Sequence, residues 1–291
     1  MGIGMNNCIK VAVDKDGKLD PVALDEAITE AKAAGKTPIG ISCTAGTTVL
    51  GAYDDIEAIA DVAEKHGVWL HVDACWGGHC LLSAKHSHLM KGCHRADSIA
   101  WTATKCLGLP QQCSVLILKK RNVLYNCNAM NEDYLFHDHE EKDFDLGDRT
   151  LNCGRRVDAL KLWLSWKVYG DKGFAQRVEH AFEQAQSLVQ MIKERGDRFQ
   201  LLTEPESLNV CFWYVPKAAR SLPEGKDKYE LMDKATLTIR RKMQLEGKVL
   251  VNYSDLSGVH GHFFRMITCN PFAGVEDIAF MLDEMERLGE L

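Results

Sequence analysis

The first half of the chain alternates between two hydrophobic periods. Leu24 to Ala34 (LDEAITEAKAA) carries apolar residues at helical spacing and stops at Gly35. Pro38 to Cys43 (PIGISC) is a short apolar run, which predicts a buried strand. Asp54 and Asp55 open a second helical stretch, DDIEAIADVAEKHG, closed by Gly67. Acids in its first turn suit the helix dipole. Val68 to Val72 (VWLHV), Ser98 to Trp101 and Ser114 to Leu118 (SVLIL) predict further strands. The segment CIKVAV (8–13) also has strand character. Strands and helices in alternation, with apolar strands, imply a mostly parallel sheet covered on both faces.

The second half has a different rhythm. Helices are predicted over Arg155 to Gly170, Phe174 to Arg195, Lys228 to Gly247 and Val275 to Leu288. Strands are predicted at Asn209 to Tyr214, Val249 to Tyr253 and His262 to Ile267. This is an α+β pattern, so a boundary near residue 150 divides the chain into units 1–150 and 151–291. Within the first of these helices, Trp163 and Trp166 lie three apart, a spacing that more often marks a core-facing stripe.

Composition narrows the function classes. The 291 residues carry a net charge of −6, which argues against nucleic acid or an anionic membrane as the main partner. With 46% hydrophobic and 26% charged residues the chain is a folded globule rather than a disordered one. Its 11 cysteines are odd in number and too sparse for a disulfide scaffold, which points to reduced thiols and a cytoplasmic protein. No apolar run approaches the ~20 residues of a membrane span. Gly35-Lys36-Thr37 lacks the first glycine of a P-loop, no G-x-S-x-G occurs, and His139-Glu140 lacks the second zincin His. Cys75 and Cys80 match a zinc spacing only marginally and no second Cys pair follows, while His86 and His88, and His137 and His139, read as solvated loops, so no metal is expected.

Three polar groups sit directly after predicted strands. Asp73 ends VWLHV, Lys105 follows the strand at Trp101, and Thr44-Ala45-Gly46-Thr47-Thr48 follows PIGISC. In an open α/β sheet the ligand crevice lies beyond the carboxyl ends of the strands. An acid and an amine over one rim suit pyridoxal phosphate (PLP) chemistry. The amine bonds to the cofactor aldehyde, and the acid keeps the pyridine nitrogen protonated. On spacing alone, Asp73 is equally a helix cap and Lys105 one surface lysine among many.

Seven segments in register carry a resemblance. They are TAGTTVLGAYD (44–54), HVDACWGG (71–78), ADSIAWTATKCLGLPQQCS (96–114), YLF (134–136), CGRRVDALKLWLSWK (153–167), NVCFWYVP (209–216) and FFRM (263–266). The chain resembles the group II PLP-dependent decarboxylases, in the branch acting on acidic amino acids. The resemblance implies a fold-type I α/β architecture: an incomplete large domain plus a C-terminal α+β small domain. It implies PLP as cofactor, an acidic amino acid as substrate and a homodimer. It places Asp73 at the pyridine nitrogen, Cys75 on the ring face, Thr48 near the cofactor and Lys105 as the covalent attachment point. Thr102 and Thr104 become cofactor neighbours, and Arg265 grips the substrate carboxylate.

The resemblance also shows departures. Thr102-Ala103-Thr104 stands where relatives have Asn-Pro-His. The loop after YLF is about two residues shorter, and Phe144 takes the place of a proton-donating Tyr. The family's phosphate cradle and ring-stacking His precede the matched region, so the 291 residues are expected to hold only part of the cofactor domain and to expose apolar surface. The implied activity is decarboxylation of cysteine sulfinate, aspartate or glutamate to the amine and CO2. Two alternatives stand beside it: an aldehyde-forming oxidative decarboxylase, motivated by Phe144, and an inactive truncated form.

Overall fold

The computed structural model describes residues 3–130, 146–152 and 154–290. Helix α1 (Pro21–Ala33) starts where Asp20 accepts hydrogen bonds from the amides of Val22 and Ala23, with Pro21 at its first position. Its buried residues Leu24, Ile28 and Ala31 fall on one face at intervals of four and three. Helix α2 (Ile56–His66) is capped by Asp55, which accepts from the Ala58 amide, and ends at Gly67 in the left-handed conformation (φ 65°). Asp54, expected in that first turn, instead turns inward. Its carboxylate accepts from the Leu19 amide at 2.7 Å and the Thr44 amide at 2.6 Å.

Strands β1 (Gly40–Thr44), β2 (Trp69–Ala74), β3 (Ser98–Thr102) and β4 (Ser114–Leu118) form one sheet in that order. The first three are parallel, and β4 runs antiparallel to β3. Ile41, Cys43, Leu70 and Val72 point to α1 and α2, and together they make one core. Both crossover helices therefore lie on the same face, and cover on both faces is not what the described residues show. Gly40 and Ser42 are exposed between their buried neighbours, and Leu116 and Ile117 are about half exposed. In strands this short, an apolar run and a one-faced alternation look nearly alike.

The expected strand at CIKVAV is absent. Val13 makes only an isolated bridge with Leu19, around a turn in which the Asp14 carboxylate accepts from the Asp16 and Lys18 amides. Ile9 and Val13 are more than half exposed. An alternating pattern becomes a strand only against a sheet edge, and this segment meets none.

After the short helix α3 (Val123–Asn128) the chain enters α4 (Asp158–Glu194). The two helices expected here are present within this span and meet at a kink at Gly170, whose φ of 62° only glycine adopts freely. Of the tryptophan pair, Trp166 packs on Phe174 at 4.8 Å, whereas Trp163 is 55% exposed and leaves the expected core stripe. Beyond α4 come β5 (Phe199–Leu201), β6 (Asn209–Tyr214), α5 (Lys226–Glu246), β7 (Asn252–Ser254), β8 (Phe263–Ile267) and α6 (Val275–Gly289). Their sheet has the order β5-β6-β8-β7 and is antiparallel throughout.

Strand β6 is buried on both faces, and its period of two sorts its side chains. Val210, Phe212 and Tyr214 join Phe264 against Leu188, Ile239 and Leu282 from the three long helices. Cys211 and Trp213 join Phe263 on the opposite face, against Val49 and Leu50 from the loop after β1. The second sheet thus rests its other face on the strand ends of the first. Among the described residues all ten cysteines are free, and no helix is long and apolar enough to cross a membrane.

Candidate active site

The carboxyl ends of β1, β2 and β3 lie side by side, with Thr44 paired to Asp73 and Asp73 to Ala100. The loop after β1 folds back on itself: the amides of Gly46 and Thr47 both donate to the Ala52 carbonyl. It is locked onto the turn after β2. The Gly77 amide donates to the Ala45 carbonyl at 2.9 Å, and the Tyr53 hydroxyl donates to the Gly77 carbonyl at 2.9 Å. Both contacts require glycine. A Cβ on Gly46 would lie 2.8 Å from the Gly77 Cα, and one on Gly77 would collide with the Ala45 carbonyl.

Asp73 is half-buried at the end of β2, and its Oδ1 accepts from the Cys75 amide at 3.0 Å. That bond fixes the carboxylate over the turn. Burial pushes the Cys75 thiol above its ordinary range, and the neighbouring Asp73 carboxylate adds to this. The Thr102 hydroxyl and the Lys105 ammonium act in the opposite direction. Asp73, Thr102 and Lys105 therefore all lie near the Cys75 thiol. Thr102 Oγ1 also lies 3.0 Å from Ser114 Oγ of β4.

Lys105 is exposed and makes no ion pair among the described residues, but its flanks are held. Ala103, Cys106 and Leu107 are buried against Phe174 and Val178 of α4. Arg177 of α4 donates to the Leu107 carbonyl at 2.5 Å. A free amine on an anchored turn is what a covalent attachment point requires. Thr104 is half-buried on the same turn. Thr48 is exposed on the β1 loop, and its carbonyl accepts from Asn209 Nδ2 at 3.0 Å.

Arg265 lies on β8, opposite Cys211 of β6, on the sheet face turned to the β1 loop. Its Nε is buried with no hydrogen-bond partner, and burial pulls the guanidinium pKa below its ordinary value. A buried donor with nothing to bond is costly unless an acceptor arrives, and a carboxylate is the acceptor its geometry matches. Arg265 has no hydrogen bond or ion pair to Asp73 or Lys105. Its strand neighbour Cys211 meets the loop after β1, where the thiol donates to the Val49 carbonyl at 3.4 Å.

The structure thus brings Asp73, Cys75, Thr102 and Lys105 together, keeps Thr104 on the Lys105 turn and Thr48 on the loop after β1, and places Arg265 on the face of the second sheet turned to that loop. Phe144 and the YLF segment lie outside the described residues. Sequence patterns passed over Arg177, Tyr53 and Asn209. Their partners are carbonyls and ring nitrogens far along the chain, which leave no local signal; the one hint was a buried polar residue opening the apolar strand NVCFWY.

An acid, a small ring-facing side chain and an unpaired lysine at adjoining strand ends fit the pyridine and aldehyde sides of PLP. The comparisons agree. A family model described as the pyridoxal-dependent decarboxylase conserved domain matches residues 2–215. Cysteine sulfinic acid decarboxylase from Homo sapiens is 44% identical over 293 residues, covering 100% of this chain and 59% of the human protein. The Rattus norvegicus enzyme of the same name is 43% identical with the same coverage. Among solved structures, mouse CSAD in its apo form superposes with a TM-score of 0.94 at 41% identity, covering 99% of this chain and 60% of that one. Oryza sativa TDC, with PLP and tryptamine, gives 0.88 at 25% identity, covering 99% and 58%.

The chain belongs to the pyridoxal-dependent decarboxylase family. The family's cofactor is PLP, and the fold-type I α/β architecture expected from the sequence is the one the structure has. The chain spans about three fifths of the length of the curated relatives it matches.

Proposed function

We propose that this chain decarboxylates a small acidic amino acid (cysteine sulfinate, aspartate or glutamate), releasing CO2 and the corresponding amine. One observation carries this: a free Lys105 beside Asp73, Cys75 and Thr102, with the buried, unpartnered Nε of Arg265 on the facing sheet. When bound, PLP supplies an electron-poor ring that takes up the electron pair left behind as the carboxylate departs. Asp73 would keep a proton on the pyridine nitrogen of the bound cofactor. Cys75 would offer a small side chain beside the ring, and the hydroxyls of Thr48, Thr102 and Thr104 would be available as neutral hydrogen-bonding groups. Lys105 would be the attachment point, and its Nζ would move a proton as product leaves. Arg265 binds the α-carboxylate through its guanidinium edge and fixes which bond is broken.

In this assignment residues 1–150 carry the cofactor contacts and residues 151–291 the substrate grip. The relatives' acidic substrate, named in cysteine sulfinic acid decarboxylase, supports the substrate class. A cytoplasmic homodimer is part of the proposal. The exposed Leu160, Trp163 and Leu164 on α4 support it as apolar surface suited to burial against a second copy.

Product analysis tests the activity. The chain is mixed with PLP and each of the three acids, and CO2, amine, aldehyde and hydrogen peroxide are measured. Equal amounts of CO2 and amine, without peroxide, are expected. Aldehyde with peroxide would instead establish the oxidative reaction motivated by Phe144, and no product from any acid would leave the inactive form.

A further inference from the structure

Asn209 is 1% exposed and opens β6, two residues before the strand position that pairs with Arg265. Both donors and the acceptor oxygen of its side chain are engaged at the cofactor end of the first sheet. Its Nδ2 donates to the carbonyls of Thr48 at 3.0 Å and Val49 at 2.8 Å, both on the loop after β1. Its Oδ1 accepts from Trp76 Nε1 at 2.9 Å, on the turn after β2 that carries Asp73 and Cys75. Gly51 completes the seat, because a Cβ there would press on the Asn209 side chain at 3.1 Å.

We infer that Asn209 is a positioning residue, a single amide that sets the substrate-gripping β6/β8 pair at a fixed distance from the two loops that carry the cofactor contacts. The catalytic part of this inference rests on the proposed decarboxylation; the mechanical part does not. Only a side chain with two donors and one acceptor in one plane satisfies all three partners. Aspartate is nearly isosteric and keeps the acceptor for Trp76, but it turns an oxygen toward two carbonyl oxygens. The repulsion would lift the 48–50 loop from the sheet face that holds Cys211 and Arg265. A displacement of about 1 Å between the carboxylate grip and the reacting bond can cost about 100-fold in rate.

Cys211 reports the loop directly. Its thiol is 2% exposed and is covered by Val49 and Leu50, whereas Cys43 and Cys106 are buried elsewhere in the molecule. The experiment follows maleimide labelling of the free chain by peptide mass spectrometry, in wild type, Asn209→Asp and Trp76→Phe. In Asn209→Asp, Cys211 should label at least about 10-fold faster while Cys43 and Cys106 stay protected. Trp76→Phe removes only the donor to Oδ1 and should show the same pattern at smaller amplitude; it decides the matter if the aspartate variant does not fold. In steady-state assays with PLP loaded, Asn209→Asp should lower kcat by about 10- to 100-fold, with cofactor Kd and substrate KM within about threefold of wild type.

Unchanged Cys211 labelling would overturn the inference. So would equal acceleration at Cys43 and Cys106, which means general loosening, or an unchanged kcat in a chain whose Cys211 has opened. A wild-type chain without turnover would sink the decarboxylase proposal instead, and the labelling result alone would then decide whether Asn209 holds the loop.

Discussion

Lys105→Ala should abolish the visible absorbance band that the wild-type chain develops with PLP, and should lower turnover by at least about three orders of magnitude. The size follows from chemistry: no other side chain at this point can form an imine with an aldehyde, and removing a nucleophile typically costs a factor of that order or more. Asp73 is an acid, Cys75 a thiol held above its ordinary pKa, and Thr102 a hydroxyl engaged with Ser114. Lys105 is also exposed on a turn whose flanking residues are buried, so truncating it should leave folding intact. The comparison variant is Lys15→Ala, whose side chain is 88% exposed. Titration of PLP into the three proteins, followed by absorbance and by thermal melting, checks the expectation. A band of equal size in Lys105→Ala would remove the lysine from the site.

Arg265→Gln should raise KM about 100-fold or more. Losing a charge-assisted, two-point contact to a carboxylate from a partly buried site typically costs 2–5 kcal/mol, which is roughly 30- to 4,000-fold. The stability effect separates this role from a structural one. A guanidinium in a structural ion pair leaves a stranded partner when removed, and the fold weakens. Arg265 has an unpartnered Nε and no ion pair among the described residues, and burial already disfavours its charge. Its replacement should therefore leave the melting temperature unchanged or slightly higher. Steady-state kinetics with a thermal melt on the same preparation reads both. A lower melting temperature with unchanged KM would make Arg265 a structural residue.

Asp73 and Lys105 were legible in the sequence because each follows an apolar run, and strand ends are where an α/β sheet offers its crevice. The helices α1 and α2 were legible to within a few residues, since Gly35, Asp55 and Gly67 punctuate them; the Asp20 cap, which starts α1 at Pro21 rather than Leu24, was passed over. Arg265 was different: nothing local distinguishes it from a structural arginine on a strand, and only the resemblance singled it out. Asn209 escaped altogether. Its three partners lie between 133 and 161 residues away, so the strand pattern that placed it at the start of NVCFWY carries no sign of them.

The misread elements share a cause. Periodicity states which face of a segment is apolar and not what it meets. The alternation in CIKVAV was real, but no sheet edge lies beside it. On that helix Leu162 and Trp166 pack against the core, whereas Trp163 between them faces out. The direction of β4 was implicit in its connection, since the stretch from Ala103 to Cys113 contains no crossover helix and a parallel return needs one.

The central claim is that PLP is held covalently at Lys105 by the residues of this chain. The most direct test is to mix the chain with PLP, reduce with sodium borohydride, digest, and map the modified lysine by mass spectrometry. The account predicts one dominant pyridoxyl label, on Lys105, at near-stoichiometric occupancy. Labels scattered over the exposed lysines, or none at Lys105, would contradict it.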